Sequence, residues 1–231
     1  MNTRLSDMQN GSVLVKTLAA AAGLVALCLA AQDGFTALLE GNSAPGFEMG
    51  SPNWVVEDGV LALKDRTDGK MINANYLWTR QQYGDFILHI EFKVLPERAN
   101  SGVFIRTADR KDPVQTGIEI QVGNAPADRP LGRGSVGGLY DLLAPRVNAY
   151  KPNEWNRYVI TCRGPRILIE LNGQTTAEAN LDEWVEARKN PDGSPNKFRT
   201  PLKDFARRGY IGLQDHGSPV WYRNVRIKPL D

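Results

Sequence analysis

Apolar and polar residues alternate along several short stretches of this chain. A period of two residues is typical of a β-strand with one face buried and the other in solvent. In residues 118–122 the alternation places Glu119 and Gln121 on one face and three β-branched residues on the other. The clearest alternation covers residues 86–94 and predicts a strand whose inward side chains are Phe86, Leu88, Ile90, Phe92 and Val94.

Turn signals separate these apolar stretches at short intervals. Asp58-Gly59 stands between two apolar runs, and Asn172-Gly173 is the strongest short turn signal in the chain; both predict a two-residue β-hairpin turn. Further strands are predicted at residues 76–80, 103–106, 155–162 and 166–171. About ten short strands and almost no helical period predict an all-β fold, an antiparallel two-sheet jelly-roll sandwich.

Three longer segments do not follow this pattern. Residues 123–153 form a Gly- and Pro-rich connection, and a connection of that length is usually functional or contains short strands. Residues 181–189 have room for one or two helical turns, and residues 190–203 are polar and predict a surface insertion. The whole insert, residues 181–205, is expected to form a lid over a concave face or to decorate its rim, and residues 110–113 to line the groove.

The first 31 residues predict a signal peptide. Arg4 and Lys16 precede an apolar run at residues 17–31, which is short for a membrane span and ends in small residues suited to cleavage. An uncleaved anchor and a lipid on Cys28 are the alternatives. We expect an exported domain at residues 32–231, periplasmic or extracellular, with no membrane contact after cleavage. Cys162 is then a lone cysteine and is predicted to be a core residue.

Composition excludes some partners. The chain of 231 residues is 42% hydrophobic and 23% charged, with a formal net charge of +2. No basic stripe is present, so we predict no nucleic-acid partner. The Cys/His spacings of metal sites are absent from the sequence, and no cofactor is predicted, although a divalent ion held by loop carboxylates and carbonyls leaves little sequence trace.

A polar turn at residues 209–220 stands out near the end of the chain. Two β-patterned runs flank it, Gly217 and Pro219 favour a tight turn, and three polar groups follow one another at Gln214, Asp215 and His216. The segment is either a solvated hairpin tip or part of a functional site.

With these motifs in view, the sequence resembles the 3-keto-disaccharide hydrolase domain family. The matching pieces cover nearly all of the chain after the signal segment, and their number and order make the resemblance specific. They are GFTAL at 34–38, EDGVL at 57–61, DFIL at 85–88, NSGVFIR at 100–106, IEIQ at 118–121, GGLY at 137–140, KPNEWN at 151–156, IELNG at 169–173, GYIGLQDHG at 209–217 and YRNVRI at 222–227.

The resemblance implies a concanavalin A-like jelly roll with one concave sheet that holds a sugar. It also implies export and cleavage of the glycosidic bond in glycosides that are oxidised to the ketone at C3. The expected partner is therefore a carbohydrate. In this family Trp155 stands where a structural tryptophan is found, so it is expected in the core.

The chemistry of such a substrate indicates which side chains to look for. A ketone at C3 acidifies the proton on C2, so a base, a cation for the enolate oxygen and an acid for the leaving oxygen suffice. A carboxylate pair of the ordinary glycosidase type is not required. His216 is the candidate base or acid, Glu119 the candidate base, and Arg106 the candidate group that polarises the ketone. The candidate substrate-binding residues are Gln121, Gln214, Asp215, Tyr140, Trp78 and Asn100.

These assignments make a geometric prediction. The turn at residues 209–220 must face Glu119 across one cleft, with Gln214 directed toward the sugar and His216 at the edge of the groove. Trp221 fits a sugar platform or the core, and His89 fits a solvated face. Two other functions stay open: a carbohydrate-binding module on the same fold, which needs no titrating pair, and a calcium-stabilised β-glucanase. A β-glucanase requires two carboxylates close together on one strand, whereas residues 119–121 contain one.

Overall fold

Two antiparallel sheets contain nearly all of the regular structure. The computed structural model describes residues 34–64, 76–95, 100–124 and 129–230, and the described residues from Ala37 onward form one compact unit. The predicted signal peptide lies outside the described residues. Within the described ranges, no helix is long and apolar enough to cross a membrane. The regular elements are β1 (Thr36–Ala37), β2 (Trp54–Glu57), β3 (Val60–Leu63), β4 (Leu77–Tyr83), β5 (Phe86–Val94), β6 (Asn100–Thr107), α1 (Pro113–Thr116), β7 (Ile118–Gly123), β8 (Asn156–Arg163), β9 (Arg166–Leu171), β10 (Gln174–Asn180), β11 (Gly209–Leu213) and β12 (Val220–Pro229).

The back sheet has eight strands and the front sheet has four. In the back sheet seven strands lie in the order β10-β9-β8-β5-β12-β3-β2, and β1 lies off this path. The front sheet has the order β4-β11-β6-β7. β5 and β12 are neighbours although they are far apart in the chain, whereas β6 and β7 are consecutive strands connected through α1, and both pairs are antiparallel. The prediction of an antiparallel two-sheet jelly roll is therefore confirmed.

The core lies between the sheets and is filled by every second side chain of each strand, namely those that point inward. β5 begins and ends at the residues predicted, and its side chains alternate between buried and half-buried along its whole length. Ile118, Ile120 and Val122 of β7 belong to the same core cluster, so the other parity of β7 faces away from it. Cys162 is also a fully buried core residue, as predicted, and burial raises the pKa of its thiol to about 12.

Both predicted hairpin turns are present. Asp58 and Gly59 join β2 to β3 with positive φ angles of 49° and 77°, and Asn172 and Gly173 join β9 to β10 with 52° and 81°. Two consecutive positive φ values match the right-handed twist of the flanking strands, which is why Asn-Gly and Asp-Gly are favoured there.

One prediction about the fold is wrong. Trp155 is half-buried, not a core residue, and the guanidinium of Arg223 lies 4.2 Å from the centre of its ring. An indole covered by a guanidinium is stabilised by cation–π attraction at the surface. The one or two helical turns expected at residues 181–189 are present as one 3₁₀ turn, Leu181–Glu183, which is capped by Asn180.

Candidate functional site

The candidate site lies on the outer face of the front sheet, the face turned away from the core. Ile118, Ile120 and Val122 point inward, so Glu119 and Gln121 of β7 point outward, as the alternation predicts. On the same face, the rings of Tyr76 and Phe104 lie 5.1 Å apart and those of Tyr76 and Trp78 lie 5.6 Å apart, measured between centroids. The site therefore joins a carboxylate and amides from one edge strand to aromatic rings near the other.

Two glycines on the inner strands leave room for these side chains. A Cβ atom on Gly102 of β6 would come within 2.6 Å of Glu119 Oε1, and one on Gly212 of β11 within 2.4 Å of the Trp78 ring. Separations that short do not occur, so a side chain at either position would displace its neighbour. Glu119 thus leans over β6 from one edge, and Trp78 leans over β11 from the other.

Glu119 is a buried carboxylate with a cation beside it. The residue is only 5% exposed, and Lys197 Nζ lies 3.5 Å from its Oε2 atom. Burial raises the pKa of Glu119 because it disfavours the charged form, while Lys197 and the amide of Gln214 act in the opposite direction. The net direction is upward, which brings the carboxyl group closer to the range in which a general base works near neutral pH.

Gln214 connects the turn after β11 to Glu119. Its Nε2 atom donates a 3.0 Å hydrogen bond to the Tyr76 hydroxyl, whose burial raises the pKa of that phenol to about 12. Gln121 Nε2 donates to Asn100 Oδ1 at 3.2 Å. The Oε1 atoms of Gln214 and Gln121 are buried and find no hydrogen-bond partner among the described residues. Buried acceptors normally have a partner, so these two are suited to accept from a bound hydroxyl group.

Asp215 shapes the turn that holds His216. Its Oδ1 atom accepts from the Gly217 amide at 2.9 Å, and its Oδ2 atom accepts from Asn53 Nδ2 at 3.3 Å. Gly217 has a φ of 80°, which a residue with a side chain would rarely adopt. Asp215 is therefore a turn residue in its described contacts. His216 is half-buried on this turn, two positions after Gln214.

Lys197 belongs to the insert at residues 181–205, which is docked against the site. Its amide donates to Asp141 Oδ2 at 2.6 Å, and its carbonyl accepts from Gln115 Nε2 at 3.1 Å. Arg199 reinforces the contact through a 2.6 Å ion pair with Asp112. Residues 110–113 thus anchor the insert through Asp112, while Arg110 stacks on the ring of Tyr210.

Tyr140 comes from the long connection between β7 and β8. Its amide donates to the Glu119 carbonyl at 2.9 Å, which fixes the loop along the edge of β7. Lys197 Nζ lies 4.5 Å from the centre of the Tyr140 ring. The residue is partly exposed, so its ring forms a wall of the site beside the carboxylate of Glu119.

Arg106 lies elsewhere, against the prediction that it reaches the ketone. The residue is 2% exposed, and its guanidinium donates to the Gly84 carbonyl at 2.9 Å, to the Gly164 carbonyl at 2.6 Å and to Asp85 Oδ1 at 2.9 Å. Those acceptors belong to the turns that join β4 to β5 and β8 to β9. The register of β6 on β11 slips around this residue, whose φ is 50°, so a bulge redirects its side chain.

The structure therefore brings Glu119, Gln121, Asn100, Gln214, Tyr140 and Trp78 to one outer face and takes Arg106 away from it. Asp215 and His216 lie on the turn that follows Gln214. Three residues of the site, Lys197, Tyr76 and Phe104, were not predicted from the sequence. Strand alternation could have identified Tyr76 and Phe104. Phe104 lies on the same face as Gly102, two residues away, and Tyr76 lies on the same face as Trp78. Lys197 carried no such signal, since the insert has no period. In the described part of the chain, no group of three or more His, Cys, Asp or Glu residues could hold a metal ion.

A jelly roll with a carboxylate, unpartnered amide acceptors and aromatic rings on one sheet is a carbohydrate-active domain in its architecture. Comparison with known proteins specifies the family. The chain belongs to the 3-keto-alpha-glucoside-1,2-lyase-like domain family, whose model matches residues 34–228.

Individual relatives agree with this assignment. A Bacteroides thetaiotaomicron protein named 3-keto-disaccharide hydrolase is 25% identical over 86% of this chain and 79% of its own length. A crystal structure from Parabacteroides distasonis, provisionally classed as a glycosyl hydrolase, is 29% identical and has a TM-score of 0.74 over 85% of this chain and 99% of that one. A second structure from that organism, 24% identical with a TM-score of 0.69 over 87% of this chain and 96% of that one, supports the fold.

Proposed function

We propose that this protein cleaves the glycosidic bond of glycosides that are oxidised to the ketone at C3. The bond breaks by removal of the C2 proton, elimination of the group on C1, and hydration of the resulting double bond. The family assignment and the relative named 3-keto-disaccharide hydrolase support this substrate class. The observation that carries the proposal is the buried carboxylate of Glu119, with its raised pKa, on a face that offers two unpartnered amide acceptors.

Glu119 is the general base of this reaction. Its carboxylate takes the C2 proton, and the electrons of the broken C–H bond form the C2–C3 double bond of an enolate. When the enolate collapses, the C3 carbonyl forms again, a double bond forms between C1 and C2, and the C1–O bond breaks. Water then adds to C1 and a proton returns to C2. A base of this kind typically contributes about 10²–10⁴-fold to the rate.

His216 is the candidate acid for the leaving oxygen. A histidine side chain is a common general acid in enzymes and can give a proton to the leaving oxygen as the C1–O bond breaks. The turn that carries it is fixed by Asp215 and Gly217, and it begins at Gln214, whose amide interacts with Glu119. This arrangement supports a base on β7 and an acid on the turn after β11.

Sugar hydroxyls match the remaining groups of the site. The free acceptors of Gln214 and Gln121 take hydrogen bonds from hydroxyl groups, and Asn100 orients Gln121. The ring of Trp78, laid flat over Gly212, is the stacking surface for the pyranose ring, and Tyr140 forms the opposite wall. Each neutral hydrogen bond is worth about 0.5–1.5 kcal/mol. Binding is thus spread over several modest contacts.

The proposal is tested by an assay on 3-keto-glucosides and 3-keto-trehalose beside the unoxidised sugars. We expect products from the oxidised substrates only, with loss of turnover in Glu119→Ala and in His216→Ala. Glu178→Ala, an exposed carboxylate on β10, is the matched control and keeps full activity. Equal turnover of unoxidised glycosides would contradict the mechanism. Tight binding of oxidised glycosides without any product would identify a carbohydrate-binding module instead.

Export is part of the same proposal. The charged start and the apolar run at residues 17–31 support a cleaved signal peptide, which would place the enzyme in the periplasm or outside the cell. Amino-terminal sequencing of the protein produced with its full chain tests this directly. We expect a mature protein that begins at or next to Gln32 in the exported fraction. Recovery of the chain from the cytoplasm with Met1 still present would contradict it.

A further inference from the structure

The reaction requires a positive group near the C3 oxygen, and Arg106 does not supply it. The guanidinium of Arg106 is surrounded by Asp85 and two carbonyl groups that belong to inter-strand turns. Negative charge on an enolate oxygen in a buried site must be met by a hydrogen-bond donor or a cation. Lys197 is a cation within 4 Å of the Glu119 carboxylate in the described structure.

The insert holds Lys197 from both sides of its backbone. The amide of residue 197 is bound by Asp141 in the loop beside β7, and its carbonyl is bound by Gln115 in α1. Both partners flank the strand that carries Glu119. The next residue, Phe198, is fully buried and accepts from the Arg188 amide at 2.7 Å. Three anchors within two residues fix the position from which the lysine side chain starts.

The side chain of Lys197 is guided as well. Its ammonium lies 4.5 Å from the centre of the Tyr140 ring and 5.3 Å from that of Phe198, so two aromatic faces attract it. The side chain is 21% exposed, which keeps the ammonium accessible from the open face of the site. A lysine with a purely surface role would need neither ring.

The pair with Glu119 is not arranged for maximal stability. A charge-assisted hydrogen bond between an ammonium and a carboxylate is typically about 2.7–2.9 Å long. The Lys197–Glu119 separation is 3.5 Å, and the pKa of Glu119 stays raised by burial despite its partner. By contrast, Arg199 and Asp112, which anchor the same insert, are separated by 2.6 Å. The longer pair leaves the ammonium free to take a second oxygen.

We propose that Lys197 is a catalytic residue that binds the C3 oxygen and stabilises the enolate formed when Glu119 removes the C2 proton. This inference rests on the proposed function. The C2 proton and the C3 oxygen are bonded to adjacent carbons of the substrate. A base and a cation 3.5 Å apart can therefore contact both at once. The electron pair of the C2–H bond forms the C2–C3 double bond and the π pair of the carbonyl moves to the C3 oxygen, where the ammonium stabilises the new charge. When the C1–O bond breaks, the carbonyl forms again and the C2–C3 pair becomes the C1–C2 double bond.

The experiment compares Lys197→Met and Lys197→Arg with the wild type on a 3-keto-glucoside. Lys203→Met, an exposed lysine of the same insert, is the matched control. Removal of one donor to an oxyanion typically lowers kcat by about 10²–10³-fold. We expect a loss of that size in Lys197→Met with a smaller change in KM, a partial loss in Lys197→Arg, and no loss in Lys203→Met. Unchanged kcat in Lys197→Met would overturn the inference.

The pH profile separates a catalytic lysine from a structural one. The titratable groups that interact with Glu119 are Lys197, Tyr76 and Tyr222. Burial raises the pKa of both phenols, so the two tyrosines carry no charge in the acidic pH range and only Lys197 is charged there. Loss of the lysine charge must therefore move the acidic limb of the rate profile to higher pH, while Lys197→Arg keeps the limb in place. A limb that does not move in Lys197→Met would contradict a direct interaction with the base.

Failure of this inference is distinguishable from failure of the proposed function. If the wild type turns over no 3-keto-glycoside, both are wrong. If the wild type is active and Glu119→Ala is inactive, but Lys197→Met keeps its kcat and its thermal stability, only the role of Lys197 is wrong. If Lys197→Met unfolds, Lys197→Arg decides: a partial loss of kcat supports the role of Lys197, and an unchanged kcat overturns it.

Discussion

Two ion pairs in this protein are each buried at one partner, yet they differ in almost every other respect. Arg106 and Asp85 lie 2.9 Å apart, and the arginine donates two further hydrogen bonds to backbone carbonyls of two turns. Lys197 and Glu119 lie 3.5 Å apart among amide oxygens that have no described partner. In the first pair the polar atoms satisfy one another. In the second pair they are left available.

The difference separates a structural site from a candidate catalytic one. A guanidinium that donates to backbone carbonyl groups fixes the ends of strands, and these hydrogen bonds stabilise the folded state. A buried carboxylate with a raised pKa and a cation at a longer distance is unfavourable by itself and is held in place by the surrounding fold, as is common at functional sites. Arg106 and Lys197 are both cations beside a carboxylate. The number of hydrogen bonds that each cation donates distinguishes them in the structure.

The largest expected effect is on activity at the second pair. Glu119→Gln keeps the shape of the side chain and removes the base, so kcat/KM on a 3-keto-glucoside should fall by about 10²–10⁴-fold. Thermal unfolding should change little, because the desolvation cost of the buried carboxylate is removed, while Lys197, whose side chain is 21% exposed, stays in contact with water. Steady-state kinetics and a melting curve on the same sample provide both readings. A marked loss of stability with retained activity would reverse the comparison.

The corresponding change in the first pair should affect stability. Arg106→Gln leaves Asp85 and two carbonyl groups without their donor, and loss of one partner from a buried pair costs about 3–5 kcal/mol. Since the Asp85 side chain is 29% exposed, we expect the lower end of that range. The melting temperature should fall by several degrees, with kcat per folded molecule unchanged. Arg166→Gln, which breaks a largely exposed pair with Glu178, is the control and should change stability by less than about 1 kcal/mol.

Gly102→Ala tests the position of Glu119 without changing its charge. The added Cβ would lie 2.6 Å from Glu119 Oε1, so the carboxylate must move. A displacement of about 1 Å in a catalytic group can cost about 10²-fold in rate. We expect kcat to fall by that order while the fold is retained. Gly132→Ala has open space around its Cβ and serves as the control. Wild-type kinetics in Gly102→Ala would show that the exact position of Glu119 is unimportant.

The raised pKa of Glu119 predicts a pH dependence of both rate and stability. A carboxyl group whose pKa is raised on folding stabilises the folded state below its unfolded pKa, and that contribution is lost as pH rises through the folded pKa. Activity should follow the opposite course and rise through the same interval, which begins above the usual glutamate pKa of about 4.3. Chemical denaturation of the wild type and Glu119→Gln across this interval provides the check. Parallel stability curves would contradict the raised pKa.

The smallest expected effect is on substrate binding. Gln121→Leu removes a buried acceptor that we assign to a sugar hydroxyl, and one neutral hydrogen bond is worth about 0.5–1.5 kcal/mol. KM for a 3-keto-glucoside should therefore rise by up to about tenfold, with little change in kcat. Gln174→Leu, exposed at the start of β10, should change neither. A large loss of kcat in Gln121→Leu would assign this residue to the chemistry rather than to binding.

Much of the fold could be predicted from the sequence because strand alternation and turn chemistry are local signals. β5 and β9 have the predicted limits, and the Asp58-Gly59 and Asn172-Gly173 turns are where expected. The outward parity of Glu119 and Gln121 followed from the same alternation. Trp155 was expected in the core because the family resemblance places a structural tryptophan there, whereas its ring packs against Arg223, a contact remote in sequence that leaves no local trace.

The site was less accessible to such reasoning. Arg106 was misplaced because a bulge in β6 breaks the alternation at that residue, which adopts a φ of 50° without being glycine. Lys197 was missed because its position depends on Asp141 and Gln115, which are 56 and 82 residues away in the chain. Both errors arise where one residue's conformation or a long-range contact decides the direction of a side chain.

The fate of the hydrogen on C2 tests the central claim most directly. We would let the wild-type protein convert a 3-keto-glucoside in D₂O and determine deuterium at C2 of the released 3-keto sugar by NMR, with the product alone in D₂O as the blank for spontaneous exchange. Abstraction by Glu119 followed by hydration predicts deuterium at C2 in enzymatic product, above the blank, and none with Glu119→Gln. Product that keeps its original hydrogen at C2 would mean direct displacement at C1 and would contradict the account.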